Sequence, residues 1–472
     1  MDQGPLTFRD QFLSVYQSWA ADVGRQLAAE RAAEQGELES TGAAITLDKP
    51  KELVAAEQVA EEVAAEVARD GRSDRTVEIL QESGLEDMSI GQNAKVCATL
   101  ALNLMWAKLK GDIDKVSQIE SEFRPGSKCD LKWIQTITEY LGYFGPGGDQ
   151  RAIPYIRPAA VGPKIISIKA GAKIGLIGDW GTGAEPAKRV LRQLKAQNPD
   201  ILIHLGDIYY SGTLTECRIN FEEVVNSVFD RAATGMPVYT LSGNHDMYCG
   251  GLGFYDLIKR LNTPPLTQPA SFFCLRADDN SWQLLAMDTG QHDYTPIHVT
   301  PMPTYVEQDE VDWHEQRIRE FPGKTILLSH HQLFSAFSPV APAADNGRHP
   351  ASNPRLMAAF EQLRSTGKPI AAWFWGHEHN LCVYQPHLNL ERGRCLGHSA
   401  IPVFSQDDPY KVNDKIDNPP QLVTDKKMKL SLRDNVYAHG FATLALGSTS
   451  VDVDYFEDVD GAARKHYSER IE

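Results

Sequence analysis

The spacing of apolar positions changes period near residue 145. Before that point it is helical. Phe8, Phe12, Tyr16 and Trp19 recur at i, i+4, i+8 and i+11, which places them on one helix face. Residues 51–70, KELVAAEQVAEEVAAEVARD, repeat Val59, Val63 and Val67 among glutamates and predict a strongly amphipathic helix. Residues 94–112 and 130–142 are further helical stretches, and no internal repeat is visible. The valine stripe packs within its own domain or, alternatively, offers a surface for a protein partner or for self-association.

Residues 142–164, GYFGPGGDQRAIPYIRPAAVGPK, are dense in Gly and Pro and predict a linker or an extended crossing segment. After them come short apolar runs rich in β-formers: KIGLIGD, DILIHLGD, PVYTLSGNHD, WQLLAMDT, KTILLSHH and IAAWFWGHEH. Helical patterns lie between most of them, as in AKRVLRQLKAQ, FEEVVNSVFD, EVDWHEQRIREF and PRLMAAFEQLRSTG. Continuous apolar strands alternating with helices predict an α/β fold of sandwich type. The tail, NVYAHGFATLALGSTSVDVDYFE, reads as paired strands, so the sheets should be mixed. The expected division is a helical domain over 1–145, a linker over 146–167 and an α/β domain over 168–472.

At 472 residues the chain is long enough for two domains. Its net charge of -16 argues against a counterion-releasing grip on nucleic acid or an anionic membrane. The start, MDQGPLTFRDQFLSVYQSW, lacks the basic and apolar regions of a secretory signal, and Val96–Ala107 is too short to span a bilayer. The seven cysteines form no CxxC pair or compact framework. Scattered buried thiols in a reducing cytoplasm are the expectation.

The chemistry collects at the strand ends. Five runs end in Gly178-Asp179-Trp180-Gly181, Gly206-Asp207-Ile208-Tyr209-Tyr210, Gly243-Asn244-His245-Asp246, Ser329-His330-His331 and Gly376-His377-Glu378-His379. One Asp after a strand is an ordinary helix cap, but five such endings are not explained by capping. α/β folds place ligands beyond the carboxyl ends of their strands. Carboxylates can bridge cations, and imidazoles suit Fe, Zn and similar ions, so the set can coordinate two metals. GDWGTG lacks the third glycine of a dinucleotide loop and is followed by Pro186, which excludes that reading.

In this order, GD, GD, GNHD, H and GHEH, the motifs resemble those of the calcineurin-like metallophosphoesterase superfamily over roughly residues 170 to 450. Gly181 stands where most members carry a His, and the second motif reads GDxxY. This resembles the purple acid phosphatase branch, in which a tyrosinate replaces that His. The resemblance implies Asp179, Tyr210 and His379 on a first metal, Fe(III), and Asn244, His330 and His377 on a second, Fe(II), Zn or Mn. Asp207 bridges them. It also implies His245 as the acid that protonates the leaving alkoxide. His331 is expected to bind substrate or to orient a neighbouring ligand.

The implied activity is hydrolysis of phosphate monoesters on small phosphorylated substrates by a metal-activated hydroxide. A phosphodiesterase acting on cyclic or nucleotide-linked substrates would use the same metals. A scaffold or sensor working through the N-terminal helices is the reading of another class, and the complete ligand set argues against it. The alternative for Tyr210 is that Tyr209 beside it is the exposed one, or that either simply packs at the strand end. His292, His298, His314 and His398 are expected to be solvated or core residues. Family members are commonly exported, whereas this sequence has no evident signal or disulfide framework.

Overall fold

The computed structural model describes residues 152–294, 303–403, 405, 408–423, 429–433 and 436–472, together with Tyr143. The helical pattern expected over 1–145 otherwise lies outside the described residues.

Two sheets form the centre. The first contains β2 (Lys173–Ile177), β3 (Ile201–His204) and β4 (Val238–Thr240), all parallel. β15 (Gly440–Leu446), β16 (Val451–Val459) and β17 (Ala462–Ile471) extend it antiparallel, giving the order β17-β16-β15-β2-β3-β4. The second has seven strands in the order β1-β5-β6-β7-β9-β11-β10. These are β1 (Ile166–Ile168), β5 (Phe273–Ala277), β6 (Trp282–Ala286), β7 (Lys324–Leu328), β9 (Ile370–Trp375), β10 (Leu381–Val383) and β11 (Gly393–Leu396). β6, β7, β9 and β11 run parallel, while β5 on β6 and β10 on β11 run antiparallel. Both sheets are mixed, as the chain pattern predicts. β1 starts inside the linker expected over 146–167, so residues 166–168 belong to a sheet.

One apolar core joins the sheets. Leu176, Ile203, Leu444 and Val453 of the first meet Leu284, Ile326, Leu328 and Trp373 of the second in a single buried cluster. Helices cover the outer faces, because strands buried on both sides need an apolar cover. α1 (Glu185–Lys195) buries Val190, Leu191 and Leu194 against the first sheet beside Leu202 and Val238. α5 (Gln308–Arg319) and α6 (Pro354–Arg364) place Val311, Ile318, Leu356 and Phe360 on the second. In chain order, α2 (Glu223–Phe229), α3 (Asn244–Met247) and α4 (Leu252–Arg260) come between α1 and α5. The result is a helix–sheet–sheet–helix sandwich. Among the described residues no helix is long and apolar enough to cross a membrane.

α4 packs unusually close to the 209–213 loop. A Cβ on Gly253 would lie 2.1 Å from Gly212 O and 2.6 Å from Thr213 C. On an exposed helix Gly→Ala stabilises by about 1 kcal/mol. Here the clash is with backbone, so Gly253→Ala should instead destabilise, by about 1–3 kcal/mol. Thermal or urea unfolding reads the sign directly, and a raised midpoint would show that α4 does not abut this loop.

Candidate metal centre

Each motif follows the carboxyl end of a parallel strand: Asp179 after β2, Asp207 after β3, Asn244 after β4, His330 after β7 and His377 after β9. Strands of both sheets therefore deliver side chains to one place. The backbone is bent hard to do so. Asp179 (φ 54°), Asp207 (φ 73°) and His377 (φ 68°) all sit in the left-handed region, at a cost on the order of 1–3 kcal/mol each. Three such residues in one cluster mark geometry imposed for function. Glycine is needed where the turns close on the site: a Cβ on Gly243 would lie 2.0 Å from Asp207 Oδ1, and one on Gly206 2.7 Å from His330 Nδ1.

The ligating atoms form two groups. In one, the Tyr209 hydroxyl lies 3.0 Å from Asp179 Oδ1, 3.2 Å from Asp207 Oδ2 and 3.2 Å from His379 Nε2. His379 Nε2 is 3.4 Å from Asp179 Oδ1. In the other, Asn244 Oδ1 lies 3.1 Å from both His330 Nε2 and His377 Nδ1, which are 3.2 Å apart. Asp207 Oδ2 reaches across to His330 Nε2 at 3.5 Å. Asp179, Asp207 and His330 are one set whose ligand atoms lie within 4.8 Å of one another, and His330, His331 and His377 are a second.

These contacts do not close as hydrogen bonds. His330 Nδ1 sits 3.0 Å from the Leu205 carbonyl oxygen, which only accepts, so Nδ1 carries the proton. Burial, then His331 and His377, hold the ring's pKa well below its ordinary value. The neutral ring therefore presents a bare lone pair at Nε2. That lone pair faces Asn244 Oδ1, because the Asn244 Nδ2 group donates to the Tyr248 hydroxyl at 2.6 Å and fixes the amide. Burial, then Asp179 and Asp246, drive the Asp207 pKa well up. Lone pairs that outnumber the protons in a dry site suit cations, and the donor types suit two of them.

Of the residues expected on metal, Asp179, Asp207, Asn244, His330, His377 and His379 converge. Tyr210, the phenol expected on the first metal, is placed differently. The phenol among the carboxylates belongs to Tyr209, one residue earlier, and the Tyr210 ring lies 5.7 Å from it in a small apolar cluster with Ile401. Of the pair, the Tyr209 hydroxyl is the one within hydrogen-bond distance of Asp179, Asp207 and His379. Glu216 holds the loop that follows: its Oε1 accepts from the Tyr210 amide at 2.6 Å, and its Oε2 from the Ser211 and Thr213 amides at 3.1 Å.

His245 lies against this group, its ring 4.5 Å from that of Tyr209. Its Nδ1 is 2.6 Å from the Tyr210 carbonyl oxygen and so carries a proton, leaving Nε2 for chemistry. Burial pushes the ring's pKa down to about 3. His331 is engaged at both nitrogens, by Thr289 Oγ1 at 3.1 Å and Asp293 Oδ2 at 3.0 Å, and its ring lies 4.4 Å from that of His377. His292 stacks on Tyr305 and meets Glu307, while His314 and His398 are buried. His298 lies outside the described residues.

Three supporting residues escaped the sequence reading. Asp246 accepts from the amides of Asp207, Gly243 and Ile208, tying the second and third motifs together. Tyr248 sets the Asn244 amide, and Ser399 Oγ accepts from the Gly178 amide. Asp246 and Tyr248 at least sit beside the third motif in sequence.

Residues 172–381 match the family described as calcineurin-like phosphoesterase. Tartrate-resistant acid phosphatase type 5 of Rattus norvegicus and that of Mus musculus are each 26% identical over 234 residues, spanning 44% of this chain and 67% of the relative. Among solved structures, PhoD aligns with 65% of this chain and 70% of its own at 10% identity and a TM-score of 0.44. GAP50 of Plasmodium, titled the anchor in the inner membrane complex, aligns with 64% and 89% at 12% identity and a TM-score of 0.40. At these scores the structural likenesses add nothing to the assignment. Over the residues that carry its ligand cluster the chain is thus similar to calcineurin-like phosphoesterases and to acid phosphatases of the purple type, relatives that support a hydrolase.

Proposed function

We propose that the chain hydrolyses phosphate monoesters at a two-metal centre. The observation that carries this reading is the convergence of two donor sets on the shared Asp207 carboxylate. Asp179, Tyr209 and His379 would hold one cation, and Asn244, His330 and His377 the other, with Asp207 between them. The oxygen-rich set with its phenol suits Fe(III), and the imidazole–amide set suits Fe(II), Zn or Mn. Bound there, two cations would polarise the phosphoryl oxygens and lower the pKa of a water to make the nucleophile.

The chain's own residues supply position. Asp246 keeps the Asp207 and Gly243 backbones in place, and Tyr248 keeps Asn244 turned with its oxygen inward. His245, oriented by the Tyr210 carbonyl, offers Nε2 for proton exchange with the leaving oxygen. His331, clamped by Thr289 and Asp293, makes a rigid wall beside His377, against which a phosphoryl group can be aligned.

Three outcomes test this. Asp207→Ala and Asn244→Ala should remove turnover of an aryl phosphate monoester while circular dichroism stays native; full turnover in both variants moves the site elsewhere. Tyr248→Phe removes only an orienting partner, so metal affinity or activity should fall about 10- to 100-fold, and an unchanged value would leave Asn244 independently held. A phenolate–Fe(III) bond gives a visible charge-transfer band: Tyr209→Phe should bleach it and Tyr210→Phe should not, whereas the reverse pattern would return the ligand role to Tyr210.

A further inference from the structure

Two of the buried cysteines stand directly opposite each other. β10 and β11 are antiparallel, and their register pairs Cys382 with Cys395, flanked by Leu381 with Leu396 and Val383 with Arg394. Both side chains are wholly buried and reduced. Directly opposed residues put their side chains on the same sheet face, with Cα atoms about 4.5–5.5 Å apart, inside the roughly 4.4–6.8 Å span of disulfides. The Cβ atoms of such a pair lie about 4.5–5.5 Å apart, however, against about 3.8 Å in a relaxed disulfide. Closure must therefore draw the two strands together. A bond made that way is strained, more oxidising and easily reduced again.

The pair sits beneath the metal ligands. Sγ of Cys395 lies 3.5 Å from Gly376 O and 3.4 Å from Glu378 O, the carbonyls on either side of His377. Sγ of Cys382 lies 3.2 Å from Asn380 Oδ1, next to His379. β11 then runs into Gly397, where a Cβ would lie 2.9 Å from Asp179 Oδ2 and 2.0 Å from Glu378 O. Moving these strands moves the backbone that presents His377 and His379 and packs against Asp179.

We propose that Cys382 and Cys395 are a reversible dithiol–disulfide site that couples hydroperoxide oxidation to the geometry of the metal-ligand loop. One thiolate attacks the peroxide oxygen, giving a sulfenic acid and one water once protonated. The second sulfur displaces hydroxide from that sulfenic sulfur, and this leaves as a second water. Two thiols lose two electrons and two protons, and one hydrogen peroxide becomes two waters. Burial pushes the Cys395 thiol's pKa well up, so the reaction is slow and needs sustained exposure.

The coupling to activity rests on the phosphatase reading; the disulfide itself does not. The test treats the native, metal-containing full chain with hydrogen peroxide, blocks remaining thiols, and maps disulfide-linked peptides by mass spectrometry. A Cys382–Cys395 cross-link that disappears with dithiothreitol is expected, together with loss of at least half the aryl phosphatase activity, regained on reduction. Cys382→Ser, and separately Cys395→Ser, should start with activity near the parent's and resist the peroxide-induced loss. A parent in which both thiols still alkylate after treatment would overturn the site. A cross-link formed with activity unchanged, or equal loss in the serine variants, would overturn the coupling. If the protein hydrolyses no phosphate ester at all, the peptide map still decides whether the disulfide forms.

Discussion

The structure depends on an electrostatic imbalance that the chain cannot correct by itself. At the junction of the two sheets, carboxylate, amide, phenol and imidazole atoms come within hydrogen-bond distance with too few protons among them. His330 spends its proton on the Leu205 carbonyl, and the Asn244 amide nitrogen donates to the Tyr248 hydroxyl. Lone pairs in a low-dielectric site repel unless positive charge is placed between them. A pair of cations answers that need, and the same pair is what phosphoryl chemistry requires.

Much of the surrounding architecture exists to hold that arrangement. Parallel strands from both sheets end at one edge, and left-handed turns at Asp179, Asp207 and His377 swing side chains inward. Asp246 and Glu216 each gather several backbone amides and thereby convert loops into fixed platforms. Such turns persist because the sandwich core on either side overdetermines them. The dithiol between β10 and β11 belongs to the same platform, which is why a change of sulfur chemistry there would reach the ligands.

The α/β sandwich was legible because its signals are local: apolar runs of strand length, helical periods between them, and Gly followed by Asp, Asn or His at the ends. Six of the seven expected metal ligands gather for the same reason. Tyr209 was not separable from Tyr210, since a motif counts residues whereas the loop's direction depends on Glu216 and Thr213 further along. His331 was flagged, but its partners Thr289 and Asp293 lie 42 and 38 residues away and meet it only in the fold. β1 was hidden by the Gly/Pro-rich composition around it, and the pairing of Cys382 with Cys395 needs a strand register that no spacing reveals.

The most direct measurement is a crystal structure of the metal-loaded protein with anomalous scattering recorded at the iron and zinc edges. The account requires two ions about 3.5–4 Å apart, an Asp207 carboxylate oxygen between them, and the Tyr209 oxygen on one. A single ion, or two ions that do not share Asp207, would contradict it.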